Sequence, residues 1–155
     1  MRRRWLRGRA GDDRGAELVE LAIVLPILLL VFAAILDFGF LFQRYEVLTN
    51  AAREGARLAA LPGYTEDQVR ARVQSYLTAS GLDETPQISV TPGTETIGEP
   101  VTGTVTISLM TVEVLYDSPY AFIGPFAGMF GGSTWTTATL KASSTMRVEG
   151  AASGS

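Results

Sequence analysis

An acidic side chain stands at the entrance of the longest apolar segment of the chain. Glu20 follows Gly15 by five residues, and an unbroken apolar run from Leu21 to Leu36 begins directly after it. A carboxylate buried in lipid without a partner costs several kcal/mol. We therefore expect Glu20 to pair with another group. Gly15 ends a basic leader only five residues earlier, so the partner is expected to come from this part of the chain. In the alternative interpretation, Glu20 lies at the membrane surface and its carboxylate reaches water.

A second set of polar side chains lies farther along the chain, in the Ala-rich segment 43–61. Asn50, Arg53, Glu54 and Arg57 follow one another at i, i+3, i+4 and i+7 and so share one face of a helix. Opposite charges at these spacings form salt bridges along one helix or between helices. Exposed pairs of this kind stabilise a protein by little.

Small residues on the same segment recur every four positions. One row contains Ala51, Gly55 and Ala59, and a parallel row contains Ala52, Ala56 and Ala60. Small residues four apart let two helix backbones approach closely. The rows predict close packing of this helix, either onto the rest of this chain or onto a neighbouring subunit.

Two residue types that are common in enzyme active sites, His and Cys, are missing from the chain. It has no His, the commonest general base and metal ligand, and no Cys, so neither a disulfide nor a thiolate metal site can form. Gly-rich phosphate loops and nucleophile elbows are also absent, and the Gly-Gly-Ser at 131–133 is typical of a turn. We expect no catalysis, no cofactor and no metal.

The element that carries Glu20 is predicted to cross a membrane. Leu21 to Phe42 is 22 residues long with Asp37 as its only charge, and about 20 apolar residues span a bilayer. Pro26 predicts a kink one turn into this helix. A cleaved signal peptide would have a shorter apolar region of about 7 to 15 residues and a small-residue cleavage site. Asp37 is expected near the outer surface, where a solvated acid costs little.

The distribution of charge predicts the orientation of this helix. Six Arg and two Asp precede Gly15, a net charge of +4, which should stay in the cytoplasm. Of the 13 basic and 16 acidic residues of the chain, seven and fourteen then remain, a net charge of −7. An acidic outer part argues against nucleic-acid binding, which needs a basic surface. We expect a single-pass protein of the cell membrane whose C-terminal part is extracytoplasmic.

The rest of the chain predicts a small α+β domain. The first helix should continue to Leu61 and end at Pro62-Gly63, and a second helix should begin at Thr65, with Gln68 completing a capping box, and end at Gly81. Three segments favour strands of a small antiparallel sheet with three or four strands: 87–91, 101–110 and 134–148. In the second of these, the apolar face is expected to comprise Val101, Val105, Ile107 and Leu109.

One apolar segment fits neither a regular strand nor a long helix. Residues 116–132 contain many aromatic residues, interrupted by Pro119, Gly124, Pro125 and Gly128. The segment either folds as a loop over the sheet, which we favour, or forms an exposed patch for a partner. The predicted organisation is therefore a leader at 1–15, a transmembrane and spine helix at 16–61, an extracytoplasmic domain at 62–149 and a flexible tail at 150–155.

Together these parts resemble a type IV pilin: a basic leader, Gly, Glu five residues later, an apolar helix with an Ala-rich second half, and a small sheet. More narrowly, four stretches resemble the TadE-like proteins, which are minor pilins or pseudopilins of tight-adherence (Flp, type IVb) pili. They are 15–22, 25–26, 37–39 and 50–57. The resemblance covers about residues 14 to 60.

The resemblance implies that a prepilin peptidase cuts between Gly15 and Ala16, and that Glu20 pairs with the new amine of a neighbouring subunit. It implies a minor pilin that helps to initiate, anchor or cap a fibre, with the lipid bilayer, other pilin subunits and platform proteins as partners. Two alternatives remain. One is an uncleaved single-span accessory protein that binds pilus or secretion components, and the other is a membrane-bound sensor or adhesion module that uses 116–132.

Overall fold

The computed structural model describes residues 13–82, 85–97, 105–129 and 136–153. Most of the predicted leader (1–12), part of the predicted second strand (101–104) and the end of the apolar segment (130–132) lie outside these ranges. Three helices and three strands occur in the described part of the chain, in the order α1 (Asp13–Ala59), α2 (Glu66–Ala79), β1 (Gln87–Ile97), β2 (Val105–Pro119), α3 (Ile123–Met129) and β3 (Thr137–Ser153). The predicted α+β fold class is confirmed.

Helix α1 is one continuous element from the apolar run into the Ala-rich segment. Its 47 residues include Pro26, and at 1.5 Å per residue it is about 70 Å long. Leu, Ala, Glu and Arg favour the helix throughout its second half. It ends in a turn in which Gly63 has a φ of 90°, a backbone conformation that glycine adopts without strain. The prediction of one long helix that ends near residue 61 is confirmed.

Helix α2 has a defined signal at each end. Thr65 Oγ1 accepts a hydrogen bond from the Gln68 amide at 3.4 Å, and Gln68 Oε1 accepts one from the Thr65 amide at 3.0 Å. At the other end, Gly81 has a φ of 79°, and Leu82 donates its amide to the Leu77 carbonyl at 3.0 Å. These are a capping box and a Schellman motif. Both predicted ends of this helix are confirmed.

The sheet is antiparallel, with the strand order β1-β2-β3. Strand β2 lies in the centre, where Val112 is opposite Val90 of β1 and Val114 is opposite Ala142 of β3. An irregularity between Ile107 and Leu109 interrupts the pairing of β2 with β3. The predicted small antiparallel sheet is confirmed.

The strands extend beyond the predicted segments. Strand β2 continues to Pro119, so residues 116–119, which we assigned to the irregular apolar segment, are part of a regular strand. The reason is visible in its second half, where Val112, Val114, Tyr116 and Ser118 alternate as buried residues. Strand β3 continues to Ser153 and includes most of the segment that we assigned to a flexible tail.

The alternation also corrects the predicted core face of β2. Ile107 and Leu109 are half-buried, and they point to the face opposite to that of Val112 and Val114, because side chains alternate along a strand. Val101 lies outside the described residues. Sequence alternation alone identifies two faces and does not decide which one meets a helix.

The core lies between the second half of α1, helix α2 and one face of the sheet. Its buried residues are Leu48, Ala51, Ala52, Ala56, Leu58, Val69, Val73, Leu77, Leu82, Val90, Val112, Val114, Tyr116 and Ala142. Helix α1 therefore has two different parts: its second half packs into this domain and its first half extends away from it.

Helix α3 differs from the expected loop over the sheet. It forms from residues 123–129 of the apolar segment and packs against α1. The favoured prediction of a loop covering the sheet is therefore wrong for these residues, because the surface that attracts them lies on the long helix.

Candidate functional site

The first half of α1 has a continuous apolar surface that the rest of the chain leaves uncovered. Every residue from 15 to 32 is exposed, with Leu18 at 67 % and Phe32 at 58 %. Within the described residues, this helix is the one long and apolar enough to cross a membrane. Uncovered apolar area of this extent is stable in lipid or against other apolar helices. The geometry fits a single-pass membrane protein.

The predicted processing and assembly residues lie at the start of this surface. Helix α1 begins at Asp13, so Gly15 and Ala16 belong to its first turn, and both are exposed. A methyl group added at Gly15 would contact nothing within 4 Å. Glu20 is exposed one turn farther along, and Glu17 lies between them. These residues are therefore accessible to lipid, to another subunit or to an enzyme.

Asp37 has an environment that sequence reasoning missed. Its exposed fraction is 2 %, and its carboxylate accepts the backbone N–H groups that lead into α3. Oδ1 accepts from Ala121 at 2.8 Å and from Phe122 at 3.1 Å, and Oδ2 accepts from Phe122 at 3.1 Å and from Ile123 at 2.6 Å. The first N–H groups of a helix have no partner within the helix. Asp37 supplies that partner and ties residues 121–123 to α1.

Arg44 makes a second connection two turns above Asp37. Its guanidinium donates to the hydroxyl of Ser118, which is fully buried, and to the Pro119 carbonyl at 3.0 Å. Together, Asp37 and Arg44 hold both sides of the bend between β2 and α3. We call this arrangement the α1 latch. One sequence feature could have indicated the α1 latch: Asp37 is the only charge in the apolar segment 21–42. A charge in such a segment is costly without a partner, which is also why Glu20 was singled out.

The predicted polar stripe has two different parts in the structure: Glu54 and Arg57 form an ion pair, whereas Asn50 and Arg53 are not part of it. Glu54 accepts from Arg57 Nε at 3.0 Å and from Arg57 Nη2 at 3.1 Å, and Arg72 of α2 lies 3.4 Å away. Hydrogen bonds from Arg57 lower the pKa of Glu54 below its ordinary value; partial burial opposes this, and the charges of both Arg reinforce it. Asn50 and Arg53 are exposed beside this cluster and line a shallow groove on α1 with Tyr45.

Gly55 lies where α1 comes closest to the other two parts of the core. A Cβ atom built on it would be 2.5 Å from Val73 Cγ2 of α2 and 3.1 Å from Val112 Cγ1 of β2. Only glycine fits this contact without displacing a neighbour. The small residues around it, Ala51, Ala52 and Ala56, are fully buried in the same core. Of the two options left open by the sequence, the structure shows packing onto the chain's own domain.

No cluster of three or more possible metal ligands occurs within the residues that the structure describes. The polar groups described above have roles in helix docking and in ion pairing. No described group has a geometry from which we derive a reaction step.

Residues 15–57 match the family model of the TadE-like proteins. The match begins at Gly15, includes Glu20 and the α1 latch residues, and ends at Arg57, so it covers most of α1 and none of the sheet. The resemblance inferred from the sequence is confirmed over these residues, and it indicates a protein associated with tight-adherence pili. No curated protein and no solved structure matches the chain.

Proposed function

We propose that the chain is a minor pilin, or pseudopilin, of a tight-adherence pilus, processed by a prepilin peptidase and helping to initiate, anchor or cap the fibre. The observation that carries the proposal is the combination of the family match over residues 15–57 with an uncovered apolar surface on the same helix. A subunit that enters a helical fibre needs such a surface, because neighbouring apolar helices must cover it once it leaves the lipid.

Among the residues that the structure describes, no contact explains the glycine at the proposed cleavage site. Glycine in a helix costs about 1 kcal/mol relative to alanine, and at Gly15 a methyl group would meet nothing within 4 Å. A requirement outside the folded chain, such as recognition by a peptidase, accounts for this residue. Cleavage after Gly15 would remove the basic leader and give Ala16 a free amine.

Glu20 supplies the partner for that amine. Four residues separate it from Ala16, about one helical turn. Both charges are costly in an apolar environment, and an ion pair between neighbouring subunits satisfies both. In this proposal, the N-terminus starts in the cytoplasm, the α/β domain is extracytoplasmic, and the partners are lipid, other pilin subunits and platform proteins. Nucleic acid is not a direct partner, and the chain has no catalytic role.

One observation favours the alternative of an uncleaved accessory protein. Helix α1 begins at Asp13, so the Gly15–Ala16 bond lies within its first turn, and a peptidase must unwind that turn to reach the bond. The end of a helix frays readily, which reduces this cost. An uncleaved protein would keep its leader and bind pilus or secretion components through its outer domain.

The test is the N-terminus of the protein recovered from membranes, measured by intact mass with and without a co-expressed prepilin peptidase. We expect a start at Ala16 that depends on the peptidase and is abolished by Gly15→Leu. The matched control is Gly11→Leu, a second leader glycine, which should leave cleavage intact. A start at Met1 in every sample would refute processing and favour the accessory protein.

A further inference from the structure

The α1 latch lies at a defined height on the proposed membrane helix. Asp37 follows Ala16 by 21 positions, or about 32 Å of helix at 1.5 Å per residue. The hydrocarbon core of a bilayer is about 30 Å thick. When Ala16 lies at the inner boundary, Asp37 therefore lies at the outer boundary. The backbone bonded to Asp37 lies at the same height.

The segment at this height carries no charge. From Ser118 to Leu140 the sequence contains no Asp, Glu, Lys or Arg. Within Tyr120–Met129, which we call the boundary segment, Phe122 is 44 % exposed, and Ala121, Pro125 and Gly128 are also exposed. A charge-free segment with exposed aromatic and small apolar residues is typical of the region between headgroups and acyl chains.

The apolar surface of the boundary segment continues that of α1. The rings of Phe122 and Phe40 stack with centroids 6.3 Å apart. Phe38 is 70 % exposed, and Phe40 is 43 % exposed beside the same contact. The lipid-facing surface of the helix therefore extends onto the segment without a polar break between them.

Backbone N–H groups of the boundary segment have hydrogen-bond acceptors within the protein, which suits an environment with little water. Irregular backbone at membrane depth requires that its N–H groups find partners within the protein. The N–H groups of Ala121, Phe122 and Ile123 all donate to Asp37, and the Phe126 amide donates to the Phe122 carbonyl at 3.3 Å. The buried carboxylate thus satisfies the entry to α3, while the apolar side chains remain exposed.

From these four observations we propose that the boundary segment, Tyr120–Met129, is a second membrane contact that inserts into the headgroup–acyl boundary of the outer leaflet. The occupant of this apolar surface is lipid, because the surface is continuous with the membrane helix and lies at its outer end. The proposal rests on α1 spanning a membrane and does not depend on cleavage at Gly15 or on entry into a fibre. With two contacts at one boundary, the outer domain has a fixed tilt relative to the membrane.

The test uses tryptophan fluorescence of the full chain in phosphatidylcholine vesicles. The native Trp5 and Trp135 are replaced by Phe, and single reporters are introduced as Phe122→Trp and, separately, Pro125→Trp. Phe38→Trp on α1 is the positive control. Tyr64→Trp is the negative control, because Tyr64 is 49 % exposed and follows the end of α1, whose last residue lies about 33 Å beyond Asp37 along the helix.

We expect lipids brominated near the headgroup end of the acyl chain to quench the emission of Phe122→Trp and Pro125→Trp to the same extent as that of Phe38→Trp. Tyr64→Trp should be unaffected by these lipids and quenched by acrylamide in the buffer. Two reporters are used because Phe122→Trp alters the stack with Phe40, whereas Pro125→Trp leaves it intact.

Two outcomes would overturn the proposal. If both segment reporters resist brominated lipid and respond to acrylamide while Phe38→Trp is quenched by lipid, the segment lies in water. If they resist both quenchers and the protein cross-links to a second copy, a protein surface covers the segment. Because the vesicles contain no peptidase, either outcome leaves the proposed processing untouched, and an uncleaved N-terminus in cells would leave this proposal standing.

Discussion

Asp37 and Glu20 are acids in the same apolar helix, and the sequence suggested a partner for Glu20 alone. The partners of Asp37 are backbone amides 84 to 86 residues later in the chain, and no local pattern indicates them. The expectation of a solvated acid at Asp37 was wrong, because the fold brings residues 121–123 onto the helix. The burial cost of a charge explains why the buried Asp37 has partners, whereas the identity of those partners depends on tertiary structure.

Replacing Asp37 by Asn should loosen the boundary segment. The amide offers one acceptor oxygen in place of two and has no charge, so at least one N–H among Ala121, Phe122 and Ile123 loses its partner. A hydrogen bond to a charged group contributes about 1.5 to 3 kcal/mol, so we expect the exchange of these amides in micelles to accelerate by roughly 30-fold. Hydrogen exchange measured by NMR tests this. Glu46→Gln, an exposed acid on the same helix, is the control, and unchanged protection in Asp37→Asn would contradict the latch.

Glu54 should give the outer domain a small, pH-dependent stabilisation. Its pKa is lower in the folded chain than in the unfolded chain, so the contribution is full above the unfolded value of about 4.3 and is lost as the pH falls through the folded value. Because the Arg57 and Arg72 side chains are more than half exposed, we expect Glu54→Gln to lower the free energy of unfolding by at most about 1 kcal/mol at pH 7.

This difference should shrink as the pH falls below the unfolded value and disappear once the pH is below the folded pKa of Glu54, where the carboxylate is protonated in both states. Urea unfolding of the full chain in detergent, followed by circular dichroism at each pH, measures it. Glu46→Gln, again the exposed control, should show no comparable change. A Glu54→Gln effect that is constant with pH would show that the lost contact is steric or polar rather than ionic.

Helices α1 and α2 were predictable almost to their ends, and the strands were not. Thr65, Gln68 and Gly81 lie in helix-end motifs that act within a few residues, so their effect can be read locally. The end of β2 depends on pairing with β3, which carries regular structure through Pro119, opposite Thr137. Helix α3 was missed because its stability comes from contact with α1, and its own Gly and Pro residues disfavour a helix.

The closest approach of α1 to the core should make Gly55 intolerant of even one methyl group. Gly55→Ala places a Cβ atom 2.5 Å from Val73 Cγ2, so the helix or the valine must shift, and overpacking of this kind costs about 1 to 3 kcal/mol. The matched control is Gly39→Ala on the same helix, where the new methyl group meets nothing within 4 Å. Alanine is the better helix former, so that variant should be no less stable than the wild type.

Thermal unfolding of both variants in detergent gives the comparison. We expect the melting temperature of Gly55→Ala to fall by several degrees and that of Gly39→Ala to remain or rise. Equal stability of the two variants would mean that α1 and α2 separate at little cost. The small-residue row would then be free to pack against another subunit.

The molecule as a whole has two parts: a domain that buries apolar residues in its own core, and a helix segment whose apolar surface stays exposed. The core encloses the second half of α1, whereas residues 15–32 remain exposed along their whole length. Composition and apolar run length were sufficient to predict this division, because they determine which solvent each part requires. They could not predict how the two parts join, since the α1 latch and the boundary segment connect residues far apart in the sequence.

The proposed assembly makes a prediction that separates Glu20 from its neighbour Glu17. Both acids are exposed on the first turns of α1. In the proposal, only Glu20 pairs with the Ala16 amine of an adjacent subunit. Glu20→Gln should leave cleavage at Ala16 intact. It should reduce recovery with partner pilin subunits by about 100-fold or more, because removing one partner of a buried ion pair costs about 3 to 5 kcal/mol.

Glu17→Gln removes the same charge three residues earlier and should retain that association. Co-purification of tagged subunits from membranes, quantified beside the intact mass of each variant, measures both steps at once. Equal recovery of the two variants would show that Glu20 reaches the aqueous boundary instead of pairing in the fibre. The apolar surface of α1 would then be left as the main source of subunit attraction, because its area needs no charged partner.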